Sequence, residues 1–509
     1  MDNSSNNKRI AKNTLFLYIR MFLLMVISLY TSRVILNALG VVDYGLYNVV
    51  GGVVTMFSMI SGSLSTAIGR FLTYSLGKKE KDKLPVIFST SVNIQIGLSV
   101  IIIIFAETIG LWFLNSQMTI PPDRLSAANW VYQFSIATFV VHLISIPYNS
   151  TIIAHERMSA FAYISLFEAV GKLSIAFLIS LNPFDRLIFF SLLTVLLSFI
   201  IRLIYGWYCR IHFAEARFRL VFDIKLLKEM SGFAGWNFLG SSAMILREHG
   251  GNLIINLFCG PAVNAARAIA TKVNVTVQSF IQNFMMAINP QITKSYAQGD
   301  FDYMFKIMQY GAKLSFYLML LISIPIMFDI DYILKVWLVT VPEHTSLFVC
   351  LILILAMSDI LSEPLKTAIL ATGHVKNYQI AVGTLQLLNI PISYMLLREG
   401  IFPEIVIVVS IIISNVALFL RLYMLRKIVP IEVGTYLRKV YLNAFLVSLP
   451  SLIVPVAVSL YIPSGPVRFM VIVILSTSAS LASVYYVGLD NFERTYLKEK
   501  ISRITRHHK

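Results

Sequence analysis

Ser145–Tyr163 reads SIPYNSTIIAHERMSAFAY, and Ser362–Gln379 reads SEPLKTAILATGHVKNYQ. Both follow S-x-P-x-x-[ST]-x-I-[IL]-A, with an aromatic residue seven positions after the alanine. Ser145 answers to Ser362, Pro147 to Pro364, Ala154 to Ala371 and Phe161 to Tyr378, each 217 residues on. A second pair of stretches agrees. STAIGRFLTYSLGKK from Ser65 aligns with MMAINPQITKSYAQGD from Met285, matching Ala67 to Ala287, Ile68 to Ile288, Thr73 to Thr293 and Ser75 to Ser295 at an offset of 220. Gly40 and Gly260 keep the same offset. Two offsets that nearly coincide predict an internal duplication.

The duplicated unit is apolar. Of 509 residues, 57% are hydrophobic and 13% charged, and the mean hydropathy is +0.75. A soluble chain carries roughly a quarter charged residues. Apolar runs near 20 residues, enough to cross a bilayer as a helix, recur throughout. They are continuous rather than alternating, which argues for helices and against a β-barrel. Fourteen spans are expected, at 14–39, 43–68, 85–114, 128–153, 158–181, 187–208, 231–258, 261–289, 308–334, 346–370, 377–397, 401–425, 440–461 and 467–488. The expected fold is an all-α polytopic membrane protein with no cleavable signal peptide. Cys209, Cys259 and Cys350 are scattered and predict neither a disulfide framework nor a metal site.

The net charge of +16 raises the question of nucleic acid, and the distribution of charge answers it. With both termini in the cytoplasm, the cytoplasmic segments hold 27 of the 42 Lys and Arg, and the outer loops hold 5. That is the positive-inside bias, so N-in and C-in is the expected orientation and no nucleic-acid partner is needed. The expected organisation is a cytoplasmic N-terminus (1–13), an N-lobe of six helices (14–208), a cytoplasmic linker (209–230), a C-lobe of six helices (231–428), two extra helices (429–488) and a basic cytoplasmic tail (489–509). Six is even, so the lobes insert in parallel around a central cavity, as in transporters built from parallel repeats.

Polar residues inside spans are expensive and tend to face a cavity or a partner. On the eighth span, Asn264, Arg267, Thr271, Asn274, Gln278 and Gln282 fall within about 80° on a helical wheel, a strip suited to water. The seventh carries Glu248 between Arg247 and His249, either as a cavity carboxylate or as a local pair. The tenth carries Asp359, Glu363 and Lys366 on one face, and His142 takes the position of Asp359 in the first repeat. These are candidates for an ion-coupling site (Glu248, Asp359, Glu363, His142), or else charge-balanced pairs. Glu168 and Lys172, one turn apart, read as a self-satisfied pair. Arg202, Arg421 and Lys313 are expected to snorkel to water. Arg20, Arg33, Arg247, Arg267 and Lys272, with Asn274 and Gln278, predict a cationic lumen suited to a phosphate or pyrophosphate. There is no G-x-x-x-x-G-K-[ST] nucleotide loop, and no cofactor is expected.

RVILNALGVVDYGLYNVVGGVVTMFSMISGSLSTAIGRFLTYSLG resembles the start of a polysaccharide flippase of the Wzx type, from the multidrug/oligosaccharidyl-lipid/polysaccharide export (MOP) superfamily. GGNLIINLFCGPAVNAARAIATKVN, NFMMAINPQITKSYAQGD and LATGHVKNY resemble the matching places of the second half. The resemblance implies a non-enzymatic flippase of the bacterial inner membrane. Its expected cargo is an undecaprenyl-pyrophosphate-linked oligosaccharide for O-antigen or a related polysaccharide, moved by alternating access. It also implies a coupling ion, H+ or Na+, and a polysaccharide polymerase as a possible partner. Arg20, Arg33 and Arg267 fit the cationic residues by which the family meets an anionic head group. A cation-coupled drug antiporter of the same superfamily would prefer an acidic lumen. A polymerase or ligase would carry a large periplasmic loop.

Overall fold

The computed structural model describes residues 3–55, 58–116, 120–179, 185–217, 223–338, 341–490 and 493–494. The described residues are almost wholly helical and contain no strand. Most of the tail expected at 489–509 lies outside them. The chain divides into two compact units, Met1–Ser241 with Thr293–Gly299, and Ser242–Ile292 with Asp300–Lys509. The division falls inside a long helix rather than in the 209–230 stretch.

The first unit contains α1 (Asn3–Thr55), α2 (Ser58–Gly77), α3 (Lys83–Phe105), α4 (Leu111–Ser116), α5 (Leu125–Ala154), α6 (Met158–Ile179) and α7 (Arg186–His212). Helix α8 (Ile224–Gln298) runs 75 residues and contributes to both units. The second unit continues with α9 (Phe301–Phe328), α10 (Ile330–Trp337), α11 (Thr345–Ile360), α12 (Glu363–Thr372), α13 (Lys376–Leu387), α14 (Asn389–Arg398) and α15 (Ile405–Arg426). It closes with α16 (Val433–Tyr436), α17 (Asn443–Tyr461) and α18 (Pro466–Ser483). Helices α17 and α18 pack on α9, where the Tyr317 hydroxyl donates to Asn443 Oδ1 and to the Gly488 carbonyl at 3.0 Å.

Among the described residues, ten helical segments are long and apolar enough to cross a membrane, and eleven if α11 and α12, bent by 41°, make one broken span. The chain is therefore a multi-pass α-helical membrane protein. Of the other three expected spans, 43–68 includes residues 56 and 57, which lie outside the described ones. The stretches 231–258 and 261–289 are helical but hold the polar strips, so composition rather than helicity separates these two from the rest.

The duplication is visible in the backbone. α1 breaks at Gly40 (φ 78°, ψ 169°) and α8 at Gly260 (φ 82°, ψ 177°). That region of φ/ψ is essentially reserved for glycine. The paired positions are also buried alike: Ala67 with Ala287, Ile68 with Ile288, Thr73 with Thr293, Ser75 with Ser295, Ala154 with Ala371 and Phe161 with Tyr378. The prolines differ in use. Pro147 lies inside the continuous α5, whereas Pro364 opens α12 after a break.

Candidate functional site

In the first unit, two neighbouring basins open between α1, α2, α5, α6 and α7. One, of 520 Å³, is lined by Arg20, Ser28, Thr31, Ser165, Glu168 and Lys172 among apolar residues. The other, of 470 Å³, is lined by Ser61, Ser65, Ser135, Thr138, His142, Asn149 and Ser191 with Phe134 and Phe139. Tyr47 and Thr194 line both. The Arg20 guanidinium stacks on Phe161, 4.4 Å from the ring centroid. Lys172 donates to Glu168 at 2.7 Å, as its spacing predicts. The pair nevertheless lines the basin, a role the spacing gave no sign of. One basin thus ends in charge, and its neighbour in hydroxyls and aromatic faces.

In the second unit, Arg267 is 6% exposed. Its Nε and Nη1 are buried without a hydrogen-bond partner. Gly251 admits the guanidinium, because a Cβ there would lie 2.7 Å from Nη1 and 2.9 Å from Nη2. Glu248 and Arg247 supply the opposing charges felt at Arg267. Arg247 itself donates to Gln386 Oε1, and Glu248 is exposed. Asn274 Oδ1 is also buried without a partner, and Gln278 is half-buried on the same strip. At Arg267, the duplication has changed chemistry: its mate, 220 residues earlier, is Tyr47 of the first unit's basins.

The remaining candidates are dispersed. Lys272 is exposed and stands about 140° round α8 from Arg267, so the two do not share a face. Arg33 is exposed and lines neither basin. Asp359 and Glu363 were expected on one continuous helical face, but the chain breaks between them. Asp359 accepts from Ser414 Oγ at 2.5 Å, and Glu363 pairs with Lys366 at 3.4 Å. Arg421, expected to snorkel, is 6% exposed and donates to Ser362 Oγ at 2.7 Å and to the Tyr378 hydroxyl at 3.3 Å. It balances the two carboxylates from inside the protein. Lys313 likewise pairs with Glu493 at 3.1 Å, and Arg202 stacks 3.8 Å from the Tyr148 centroid. Desolvating these bases is offset by partners that spacing along one helix cannot reveal. Among the described residues, no group of three or more His, Cys, Asp or Glu could hold a metal.

Helical repeats broken at matched glycines, with polar cavities inside an apolar envelope, define a class: multi-pass membrane proteins with the fold of MOP-superfamily transporters. Solved structures share it. A multidrug resistance MATE family transporter of the MOP superfamily, in an outward-facing conformation, matches with TM-score 0.68 at 13% identity, covering 83% of this chain and 95% of that one. A MOP superfamily transporter from Pyrococcus furiosus, whose reversed pocket polarity is said to suggest a different function, matches with TM-score 0.67 at 12% identity, covering 83% and 95%. The MATE transporter ClbM in complex with Rb+ matches with TM-score 0.67 at 12% identity, covering 84% and 96%. At such identity the likeness is one of fold. No curated protein matches the sequence. The family model for polysaccharide biosynthesis proteins matches residues 10–296, more than half of the chain, and the protein belongs to that family.

Proposed function

We propose that this protein is a flippase that carries an anionic, polyprenyl-pyrophosphate-linked oligosaccharide across the bacterial inner membrane by alternating access, with both termini in the cytoplasm. The observation that carries the reading is Arg267, a buried guanidinium with two unpartnered nitrogens. A buried guanidinium with unmet donors, balanced only by the exposed Glu248, is costly in the membrane interior, and an anionic ligand is what would offset it. A pyrophosphate matches the planar donor fork of arginine.

The first unit supports the same reading. Arg20 and Lys172 against Glu168 leave its charged basin with a basic excess, and the adjoining basin offers the hydroxyls and rings that a sugar uses. A cation-exporting antiporter would need the opposite balance. Glu248, exposed beside Arg267, is the proposed coupling carboxylate. An anion arriving at Arg267 takes over the counter-charge, leaving Glu248 to bind H+ or Na+. His142 faces the hydroxyl-lined basin and is the proposed second proton site. Asp359 and Glu363 have local partners and are given a charge-balancing role.

Replacing Arg267 with Ala is expected to abolish surface polysaccharide at wild-type membrane level, and Arg267→Lys to retain part of it. A normal polysaccharide ladder from the Arg267→Ala protein would overturn the reading.

A further inference from the structure

The duplication reaches two pairs of helix starts that the substrate sites do not use. In the first repeat, Arg124 is the residue preceding α5, and Asp185 is the N-cap of α7. Arg124 Nη1 donates to Asp185 Oδ2 at 2.6 Å, and its Nε donates to Asp43 Oδ1 at 2.9 Å. A guanidinium is thus clamped between two carboxylates. Adding 220 to Arg124 gives His344, and adding 219 to Asp185 gives Glu404. His344 precedes α11 and Glu404 precedes α15 in the same cap positions. His344 Nδ1 lies 2.7 Å from Glu404 Oε1. The copy of Asp43 is Val263, so here the base has one carboxylate instead of two.

Three features set the second copy apart. The base is an imidazole, which exchanges its proton in the physiological range, whereas a guanidinium does not. The Glu404 side chain is 1% exposed while His344 is 36% exposed, so the carboxylate is enclosed and the imidazole meets solvent. His344 also holds φ at +69°, a left-handed backbone that few side chains adopt. Other charged groups at this end sit in the flanking helices and loops. Asp329 pairs with Arg468, and Asp331 on α10 accepts from Ser346 Oγ at 2.5 Å. Glu343 and Glu399 are in the flanking loops, Arg398 ends α14, and from α8 the Cys259 thiol feels the Glu404 charge.

We infer that His344 and Glu404 form a proton-binding site at the end of the second repeat that the charge bias places outside, the titratable copy of an ion pair that the first repeat holds permanently. With His344 protonated, the enclosed carboxylate has its counter-charge and ties the start of α15 to the start of α11. Loss of the proton leaves a buried charge uncompensated, and the tie loosens. The second repeat is therefore responsive to pH at a place where the first is not. This inference stands independently of the cargo.

The duplication supplies the test. Thermal unfolding of the full chain in nanodiscs is followed from about pH 5 to 8, the range in which histidine changes charge. The readout is the difference between wild type and variant. H344R copies the first repeat and is expected to hold the acid-side midpoint across the range. H344Q is expected to hold the lower, alkaline-side midpoint, on the order of a few degrees below. R124H is expected to add a second pH step. E404Q should remove the wild-type step. Wild type, H344R and H344Q with the same pH dependence would overturn the inference, and so would a folded R124H protein with no added step. If R124H does not fold, the comparison of H344R with H344Q decides alone.

Discussion

Arg267 and Gly251 face each other because one has no side chain. The guanidinium occupies the space a Cβ would need, so Gly251→Val is expected to push it aside without removing any polar group. Transport should fall at least tenfold while membrane level stays normal, as for Arg267→Ala. Full activity of Gly251→Val would mean that the position of Arg267 does not matter. A second residue-scale prediction concerns acid stability. Glu215 lies beside His155, whose ring stacks 4.3 Å from that of Phe213. Burial pushes the Glu215 carboxyl up, but its hydrogen bond and charge contact with His155, together with a backbone N–H, bring it below the ordinary carboxylate range. A folded value below the unfolded one gives stability that is in place above the unfolded value and lost as pH falls through the folded one. Glu215→Gln should flatten the acid side of the midpoint-versus-pH curve below about pH 4.5 and leave neutral pH differences constant. An unchanged acid limb would remove His155 and Glu215 from the account.

At the scale of the helix, the two glycine breaks carry the architecture. Among the described residues, nothing beyond the adjoining helix backbone lies within 4 Å of a Cβ placed at Gly40 or Gly260, so backbone strain is what alanine meets there. Each substitution is expected to cost roughly 1–3 kcal/mol, and the pair to add within about 0.5 kcal/mol, since the sites have no partner in common. Thermal midpoints of the single and double variants check this; no change in either single variant would contradict the assigned backbone role. These breaks were legible in the sequence because two offsets agreed. The apolar helices were legible too, since hydropathy measures what lipid demands. Polar helices are a different matter. A strip such as Asn264 to Gln278 lowers mean hydropathy, yet it is held as helix by the same backbone bonds. The break between Asp359 and Glu363 was hidden, because S-x-P permits either a continuous helix, as at Pro147, or a new start, as at Pro364. The partners of Arg421 and Lys313 come from helices distant in sequence, and periodicity along one helix has no access to them.

For the molecule as a whole, family membership and fold agree on a membrane protein of polysaccharide biosynthesis with a transporter's architecture. Arg20 and Lys172 line a polar basin of the first unit and Arg267 is buried in the second, and that basic character is what the proposed anionic cargo rests on. The most direct measurement is flipping in proteoliposomes. Purified protein is reconstituted with a fluorescent polyprenyl-pyrophosphate oligosaccharide, and the label reaching the opposite leaflet is quenched over time. The account predicts protein-dependent flipping, lost in Arg267→Ala and reduced in Arg20→Ala. It also predicts that the response to an imposed H+ or Na+ gradient disappears in Glu248→Gln. Transport of organic cations by the same vesicles, with the pyrophosphate-linked lipid left in its original leaflet, would contradict it.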